Sequence, residues 1–101
     1  MLGRIYRIYS PKDPNHFYIG CTRRKYLSKR LWEHKKNYKN RLEGKHHWNY
    51  TVFRVFEKHG IEDVKIEEVD AYEIDTMDEL RTIEKVYIET CGAVNSKSYS
   101  S

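Results

Sequence analysis

Two tyrosines, an arginine and a histidine stand at regular intervals near the start of the chain. Tyr6 precedes Tyr18 by twelve positions, Arg30 follows Tyr18 by twelve more, and His34 comes four residues after Arg30. Phenol, guanidinium and imidazole groups can orient a water molecule, bind phosphoryl oxygens and move a proton, so together they suggest phosphate chemistry. These four residues do not include an anionic ligand for a metal ion.

Glu84 is the carboxylate that could complete the set. It lies in the apolar stripe of a predicted helix, one turn from Leu80 and Ile88. A carboxylate in a buried stripe is costly unless it is paired with a cation. A salt bridge to a nearby Arg and a bound divalent ion such as Mg²⁺ both meet that requirement, and Glu84 taken alone favours the salt bridge.

Charge is distributed unevenly along the chain, whose net charge is +4. Residues 23–45 contain ten Lys and Arg against two Glu, a local charge of +8. Residues 62–89 contain eleven Asp and Glu against three Lys and Arg, a local charge of −8. A molecule with one cationic side suits a polyanion such as nucleic acid, although an ordinary solvated Lys-rich helix face gives the same pattern.

The two tyrosines fall on segments with the alternation of β-strands. Strands are predicted at residues 3–10 and 16–22, joined by a Pro/Asn/Asp turn and therefore paired as an antiparallel hairpin. On that pairing Tyr6 and Tyr18 can share a face of the sheet. Gly20 leaves the same face bare beside Tyr18, where a ligand or another backbone could come close.

Arg30 and His34 fall on a predicted helix over residues 27–40, where they are neighbours one turn apart. A second helix is predicted over residues 48–59, with Gly60 ending it.

The second half of the chain adds a strand and a last helix. The strand is predicted over residues 63–72, with a bulge near Glu67 and Glu68. Residues 75–79 offer capping and first-turn acidic side chains for a helix that continues to about Thr90. The resulting order ββααβα predicts an α+β fold, with a small, meander-like three-stranded antiparallel sheet flanked by helices.

The length of 101 residues predicts a single domain over residues 1–101, with residues 97–101 as a frayed tail. Cys21 and Cys91 have no C-x-x-C spacing and cannot make a disulfide framework, so we predict small core residues in a reducing, intracellular compartment, cytoplasmic or nuclear. No apolar run approaches the ~18–20 residues of a membrane span, and no signal-peptide pattern opens the chain. We therefore expect no membrane association.

Six segments, in this order and spacing, carry a resemblance that spans residues 3–95. They are Arg4-Ile5-Tyr6, Tyr18-Ile19-Gly20, the Arg-bearing helix at residues 27–34, Phe56-Glu-Lys-His-Gly60, Glu84-Lys-Val-Tyr-Ile88 and Asn95. With these segments the sequence resembles the GIY-YIG nuclease family, and most closely the catalytic domain of phage-type homing endonucleases. One position departs from the pattern, because Arg4 stands where the family has its leading Gly.

The resemblance implies metal-dependent hydrolysis of a DNA phosphodiester. By resemblance, Glu84 holds a single Mg²⁺ or Mn²⁺ ion and Arg30 binds the non-bridging phosphate oxygens with its planar fork. Tyr6 takes the proton of the attacking water, directly or through another group, while Tyr18 orients Tyr6 or the phosphate and His34 hydrogen-bonds in the same pocket. Because a free Tyr has a pKa of ~10, we expect a nearby cation to lower the pKa of Tyr6.

The basic segment and one late residue complete the predicted site. DNA is the expected partner, and Asn95 matches a recurrent Asn of the family. The predicted nucleic-acid contacts are Arg23, Arg24, Lys29, Lys35, Lys36 and His46. A monomer is expected, either free-standing or as part of a longer enzyme with a separate DNA-targeting domain. Two other readings stay open, which are a non-catalytic nucleic-acid-binding module of the same fold and a small protein-interaction domain with an acidic partner.

Overall fold

The computed structural model describes residues 1–44 and 52–93. Within these residues, three strands and three helices follow one another in the predicted order ββααβα, which confirms the α+β class. The elements are β1 (Leu2–Ser10), β2 (Asp13–Thr22), α1 (Leu27–Leu42), α2 (Phe53–His59), β3 (Lys65–Glu73) and α3 (Met77–Cys91).

The sheet is antiparallel throughout, but its strand order is β2-β1-β3 rather than that of a meander. β1 occupies the centre because it is apolar on both faces, with Ile5, Tyr6 and Ile8 all fully buried. Arg4, which replaces the family's leading Gly, therefore lies on the central strand and forms an ion pair of 3.0 Å with Glu68 on β3. Arg4 does not lie at an edge of the sheet, since both edges belong to other strands.

Each face of the sheet has its own apolar cluster, so the molecule has three layers. One cluster joins the sheet to α1 and α2 and is built around Tyr6, Ile8, Val52, Phe53, Val55, Phe56 and Val64. The other joins the sheet to α3 and is built around Ile5, Ile19, Ile74, Leu80 and Ala93. Strand alternation assigns neighbouring residues to opposite layers, and this decides which helix each site residue can meet.

Several element boundaries differ from the predicted ones by a few residues. β2 begins at Asp13, because only two residues form the turn after β1, and α1 continues to Leu42. α2 is described from Phe53, so the predicted helical stretch before it lies outside the described residues. The bulge in β3 is at Val69, directly after the predicted pair, since Tyr6 pairs with Glu68 whereas Ile5 pairs with Asp70.

Both ends of α3 are capped. The Thr76 side chain caps the first turn by accepting a hydrogen bond from Glu79 N at 3.3 Å, and Gly92 ends the helix in the left-handed conformation. Cys91 at the end of α3 is exposed, so the prediction that it belongs to the core is wrong. None of the helices in the described part of the chain is long and apolar enough to cross a membrane.

Candidate active site

Gly20 and Tyr6 define the starting geometry of the site. They lie directly opposite each other in the β1–β2 pair, on the face covered by α1 and α2. A Cβ at Gly20 would lie only 2.8 Å from Tyr6 Cε1 and would also meet the phenol oxygen. The bare space predicted at Gly20 is therefore filled by the Tyr6 ring, whose hydroxyl is carried to the edge strand β2.

α1 brings Arg30 and His34 to that hydroxyl. Arg30 Nε donates to Tyr6 Oη at 3.2 Å, and Tyr6 Oη lies 3.0 Å from His34 Nε2. Since Arg30 can only donate, the phenol oxygen accepts from Arg30 and can pass its own proton to the imidazole. Tyr6 is fully buried and His34 is 7% exposed, so this network lies in a largely water-free layer.

Tyr18 is the second phenol of the site and lies against His34. It faces Ile8 across the β1–β2 pair, and its ring meets the imidazole edge-on with 5.9 Å between centroids. Burial raises the pKa of Tyr18 above its ordinary value, and the neighbouring Tyr6 and Glu84 act in the same direction. Tyr18 is thus a neutral phenol that fixes the imidazole ring from one side.

The ionisation of Tyr6 and His34 is set mainly by burial. Burial raises the pKa of Tyr6 to about 12, although the charge and hydrogen bond of Arg30 pull it down. Arg30 is the cation expected beside the phenol, but the expected net lowering of the pKa of Tyr6 is not found. Burial also lowers the pKa of His34 to about 4, with a further contribution from the positive charge of Arg30. At neutral pH the phenol is protonated and the imidazole is neutral.

Glu84 approaches the site from the opposite layer. It lies on α3 and is half-buried, and the thiol and backbone N–H of Cys21 on β2 favour its charged form. Burial raises the pKa of Glu84, while Cys21 and the charges of Arg81 and Arg30 oppose that shift. Among the described residues no salt bridge joins Glu84 to an Arg, so the predicted salt bridge is not found.

The two halves of the site meet at the edge strand β2. Gly20 lies beneath the Tyr6 ring on one face, and the next residue, Cys21, favours the charged form of Glu84 on the other face. A cavity of about 430 Å³ lies at this point, lined by Cys21, Thr22, Arg23, Arg24, Arg30 and Met77. Three guanidinium groups around one cavity form a site suited to the oxygens of a phosphate group.

The donor set at this edge fits a hard cation held by one carboxylate. Among residues 1–44 and 52–93, no three His, Cys, Asp or Glu side chains converge on one point. Mg²⁺ is commonly held by one or two carboxylates, with water and phosphate oxygens completing its shell. Glu84 beside an arginine-lined cavity is compatible with that pattern.

The other predicted site residues are exposed or lie outside the described part. Arg23, Arg24, Lys29 and Lys36 are exposed and Lys35 is half-buried, and Arg24 forms an ion pair of 3.1 Å with Glu33. His46 and Asn95 lie outside the described residues. The structure therefore brings together Tyr6, Tyr18, Arg30 and His34 in one layer and adds Glu84 from the other.

Two residues of the site were not predicted from the sequence. Cys21 was predicted as a core residue, although its strand parity, opposite to that of Tyr18 and Gly20, already assigns it to the α3 face. Burial, reinforced by Glu84, raises the pKa of its thiol to about 12, so Cys21 acts as a neutral donor. Thr22 accepts a hydrogen bond from Arg24 N at 3.1 Å and shapes the loop that carries the arginines.

Comparison with known proteins adds no relative to this description. No protein-family model matches the chain, and no curated protein or solved structure matches it significantly.

Replacing Gly20 with Ala is expected to displace the Tyr6 hydroxyl from Arg30 and His34. The new methyl group must occupy the space of the phenol ring, which costs about 1–3 kcal/mol of stability and disrupts the buried network. Gly3→Ala is the matched control, because its methyl group would lie 2.8 Å from Leu80 Cδ1 on the opposite face. Gly20→Ala should lose more stability in urea unfolding, because the ends of the Leu80 and Ile74 side chains can shift around the methyl group of Gly3→Ala whereas the Tyr6 ring is rigid. Only Gly20→Ala should shift the pH titration of His34 measured by NMR.

Stability is expected to fall as the pH drops from about 6.5 to 4. The pKa of His34 is near 6.5 in the unfolded chain and about 4 in the folded one, so the unfolded state binds more protons in this interval. The contribution of neutral His34 to the free energy of unfolding is fully present above pH 6.5. Its loss at low pH lowers that free energy by about 3 kcal/mol. Urea unfolding from pH 4 to 7 measures the slope, and His34→Gln should flatten it. An equal slope in parent and variant would contradict the assignment.

Proposed function

We propose that this protein is a metal-dependent endonuclease that hydrolyses phosphodiester bonds in DNA. One observation carries the proposal. Arg30 and His34 converge on the buried Tyr6 hydroxyl at 3.2 and 3.0 Å, beside a cavity lined by arginines and by Cys21, which favours the charged form of Glu84. These are the groups that phosphodiester hydrolysis requires, and they match the residues implied by the GIY-YIG resemblance.

The phosphate-binding role falls to Arg30 and the loop arginines. Arg30 Nε is used by Tyr6 Oη, which leaves the two terminal nitrogens of its planar fork to bind non-bridging oxygens. Arg23 and Arg24 line the same cavity and add positive charge where the reaction concentrates negative charge. Because Arg30 must serve both the phenol and the phosphate, Lys is a poor substitute at this position.

The proton path runs from water through Tyr6 to His34. A phenol with a pKa of about 12 is rarely ionised at neutral pH, so Tyr6 does not act as a preformed phenolate. If the attacking water reaches the buried hydroxyl from the cavity lined by Arg30, the hydroxyl can accept its proton while it passes its own proton to His34 Nε2, 3.0 Å away. His34 is neutral and available as the final acceptor, and Tyr18 against its ring holds it in place.

Glu84 is the residue that would hold a divalent ion, Mg²⁺ or Mn²⁺. Such an ion, when bound, would supply a Lewis acid for the phosphoryl and leaving oxygens. Cys21, which favours the charged form of Glu84, is one of the residues that line the arginine-lined cavity. Glu84 is half-buried, so the side chain keeps some exposure to solvent.

DNA affinity is expected to depend strongly on salt and little on sequence. The +8 segment at residues 23–45 places exposed cations along α1 and the loop before it, where they can contact phosphates of any sequence. Replacing Arg23, Arg24 and Lys35 with Ala should reduce the slope of log K against log salt by about 2–3. Lys12, Lys58 and Lys85 changed to Ala make a charge-matched control outside this segment. A strong sequence preference at fixed salt would contradict the expectation.

Cleavage of supercoiled plasmid over a Mg²⁺ series tests the proposed function. Nicked plasmid is expected to accumulate before linear plasmid, since one active site with one metal ion cuts one strand. Arg30→Lys should lose most of the rate while retaining duplex binding. No cleavage at any Mg²⁺ or Mn²⁺ concentration, with DNA binding retained, would overturn the nuclease proposal.

A non-catalytic nucleic-acid-binding module is the second candidate, and one observation favours it. Tyr6 is fully buried, and its hydroxyl already has both Arg30 and His34 as partners, as in a purely structural network. On this alternative the exposed cations would bind DNA and Glu84 would have no metal to hold. Binding that is unchanged by Mg²⁺, together with an intact plasmid, is the result that this alternative predicts.

A further inference from the structure

Among the residues that the structure describes, Trp32 is the largest exposed apolar side chain near the basic surface. It lies on α1 and is 60% exposed, although burying such a side chain would ordinarily stabilise the fold. It lies two residues from both Arg30 and His34, so it projects from roughly the opposite side of the helix. The core cluster does not include it, whereas its neighbour Leu31 packs there.

A groove of about 410 Å³ runs beside Trp32, between α1 and β3. Its lining residues are Ser28, Leu31, Trp32, Lys35, Val64, Lys65 and Ile66. One wall is therefore an indole ring, the floor is aliphatic, and two lysines lie along it. The Lys36 ammonium group lies 5.0 Å from the centroid of the Trp32 ring and adds a third cation.

This combination matches one ligand chemistry more closely than others. A planar base stacks on an exposed aromatic ring, and the phosphates on either side of it need cations within a few ångströms. An apolar protein segment would use the indole and the aliphatic floor, but it would leave Lys35 and Lys65 without anionic partners. The charge of the groove is complementary to a nucleic-acid strand.

We propose that this groove binds an unpaired base of a DNA strand, stacked on Trp32, with the flanking phosphates on Lys35 and Lys65. The inference rests on the proposed DNA-cleaving function and names its substrate class, which is duplex DNA with a single-stranded tail. In a base-paired duplex both faces of each base are already stacked, so Trp32 can be used only where a base is unpaired. α1 is about 10–12 Å across, so a tail that leaves the duplex near Arg30 crosses one helix to reach the groove.

Binding of two matched DNA substrates tests the proposal. One is a blunt duplex, and the other is the same duplex with a tail of about eight thymidines, within the roughly 4–16 nucleotides of a small single-strand site. The parent protein should bind the tailed duplex more tightly. Trp32→Ala should remove roughly 5- to 150-fold of that gain, which is the usual effect of losing one stacking platform, and leave blunt-duplex binding unchanged.

Tyr26→Ala is the matched control. Tyr26 is another exposed aromatic of the basic segment, at 56%, with Lys25 5.5 Å from its ring centroid, but it does not line the groove. The tail-dependent gain should survive this change. Thermal melts of both variants check that each folds.

The outcomes separate this inference from the proposed function. Equal affinity of the parent for tailed and blunt duplexes, with Mg²⁺-dependent cleavage intact, overturns the stacking site alone. An equal loss of the gain in Trp32→Ala and Tyr26→Ala also overturns it, because the groove would then have no special role. Failure of the parent to bind or cleave either DNA overturns both proposals.

Discussion

Glu84→Gln is expected to abolish metal-dependent cleavage while leaving DNA binding intact or slightly stronger. The amide keeps the shape of the side chain, but it removes the negative charge that a divalent ion requires. Losing several kcal/mol of transition-state stabilisation corresponds to roughly 10³–10⁴-fold in rate. DNA binding should not weaken, because the substitution removes a negative charge near the phosphates. Single-turnover cleavage and a filter-binding titration measure the two effects separately.

The stability of the same variant distinguishes a metal ligand from a structural carboxylate. Burial raises the pKa of Glu84, so the charged form is disfavoured in the folded protein and a neutral amide should leave stability unchanged or slightly higher. Loss of a buried salt bridge would instead cost about 3–5 kcal/mol. Asp78→Asn is the control, since it removes an exposed charge from the first turn of α3. A large drop in melting temperature for Glu84→Gln alone would assign Glu84 a structural role.

The polar side chains on one layer of the site could be predicted from sequence because their spacing follows regular elements. Strand alternation assigned Tyr6 and Tyr18 to one face, and helical periodicity placed Arg30 and His34 one turn apart. These local rules do not depend on the remainder of the fold. The same helical periodicity puts Tyr38 four residues after His34 on one stripe of α1, and Tyr38 packs against Phe53 and Phe56.

The contribution of the other layer could not be predicted, because it depends on the strand order. A meander would have put β2 in the centre of the sheet. With β1 central, β2 becomes an edge strand, and residues on its two faces can reach the same rim. Cys21 can therefore line the same cavity as Arg30 and also favour the charged form of Glu84 on the other face. Periodicity assigns a residue to a face but does not determine which strand lies outermost.

The ionisation state of Tyr6 was also beyond sequence reasoning. The expectation of a lowered pKa counted a nearby cation but not the depth of the ring, which Gly20 and α1 bury completely. Desolvation then outweighs the attraction of the guanidinium, and the pKa of Tyr6 rises to about 12. The proposed proton path therefore assigns Tyr6 the role of a relay and His34 that of the acceptor.

Tyr6→Phe and His34→Gln are together expected to show whether the proton passes through Tyr6 to His34. Tyr6→Phe keeps the ring over Gly20 but removes the hydroxyl, so cleavage should slow by roughly 10²–10⁴-fold, the usual size of general-base catalysis. His34→Gln can still accept the Tyr6 hydrogen bond but cannot take up a proton. A loss as large as that of Tyr6→Phe, together with a double variant no slower than either single one, would place both residues on one path.

The pH dependence of cleavage distinguishes this relay from a Tyr6 phenolate acting alone. With His34 as acceptor, kcat/KM should fall only as the pH approaches the lowered pKa of about 4, where the imidazole becomes protonated. A phenolate with a pKa of about 12 would instead make the rate climb tenfold per pH unit through the neutral and alkaline range. Such a climb in the parent, retained in His34→Gln and lost in Tyr6→Phe, would show that Tyr6 is the base and that His34 only positions its hydroxyl.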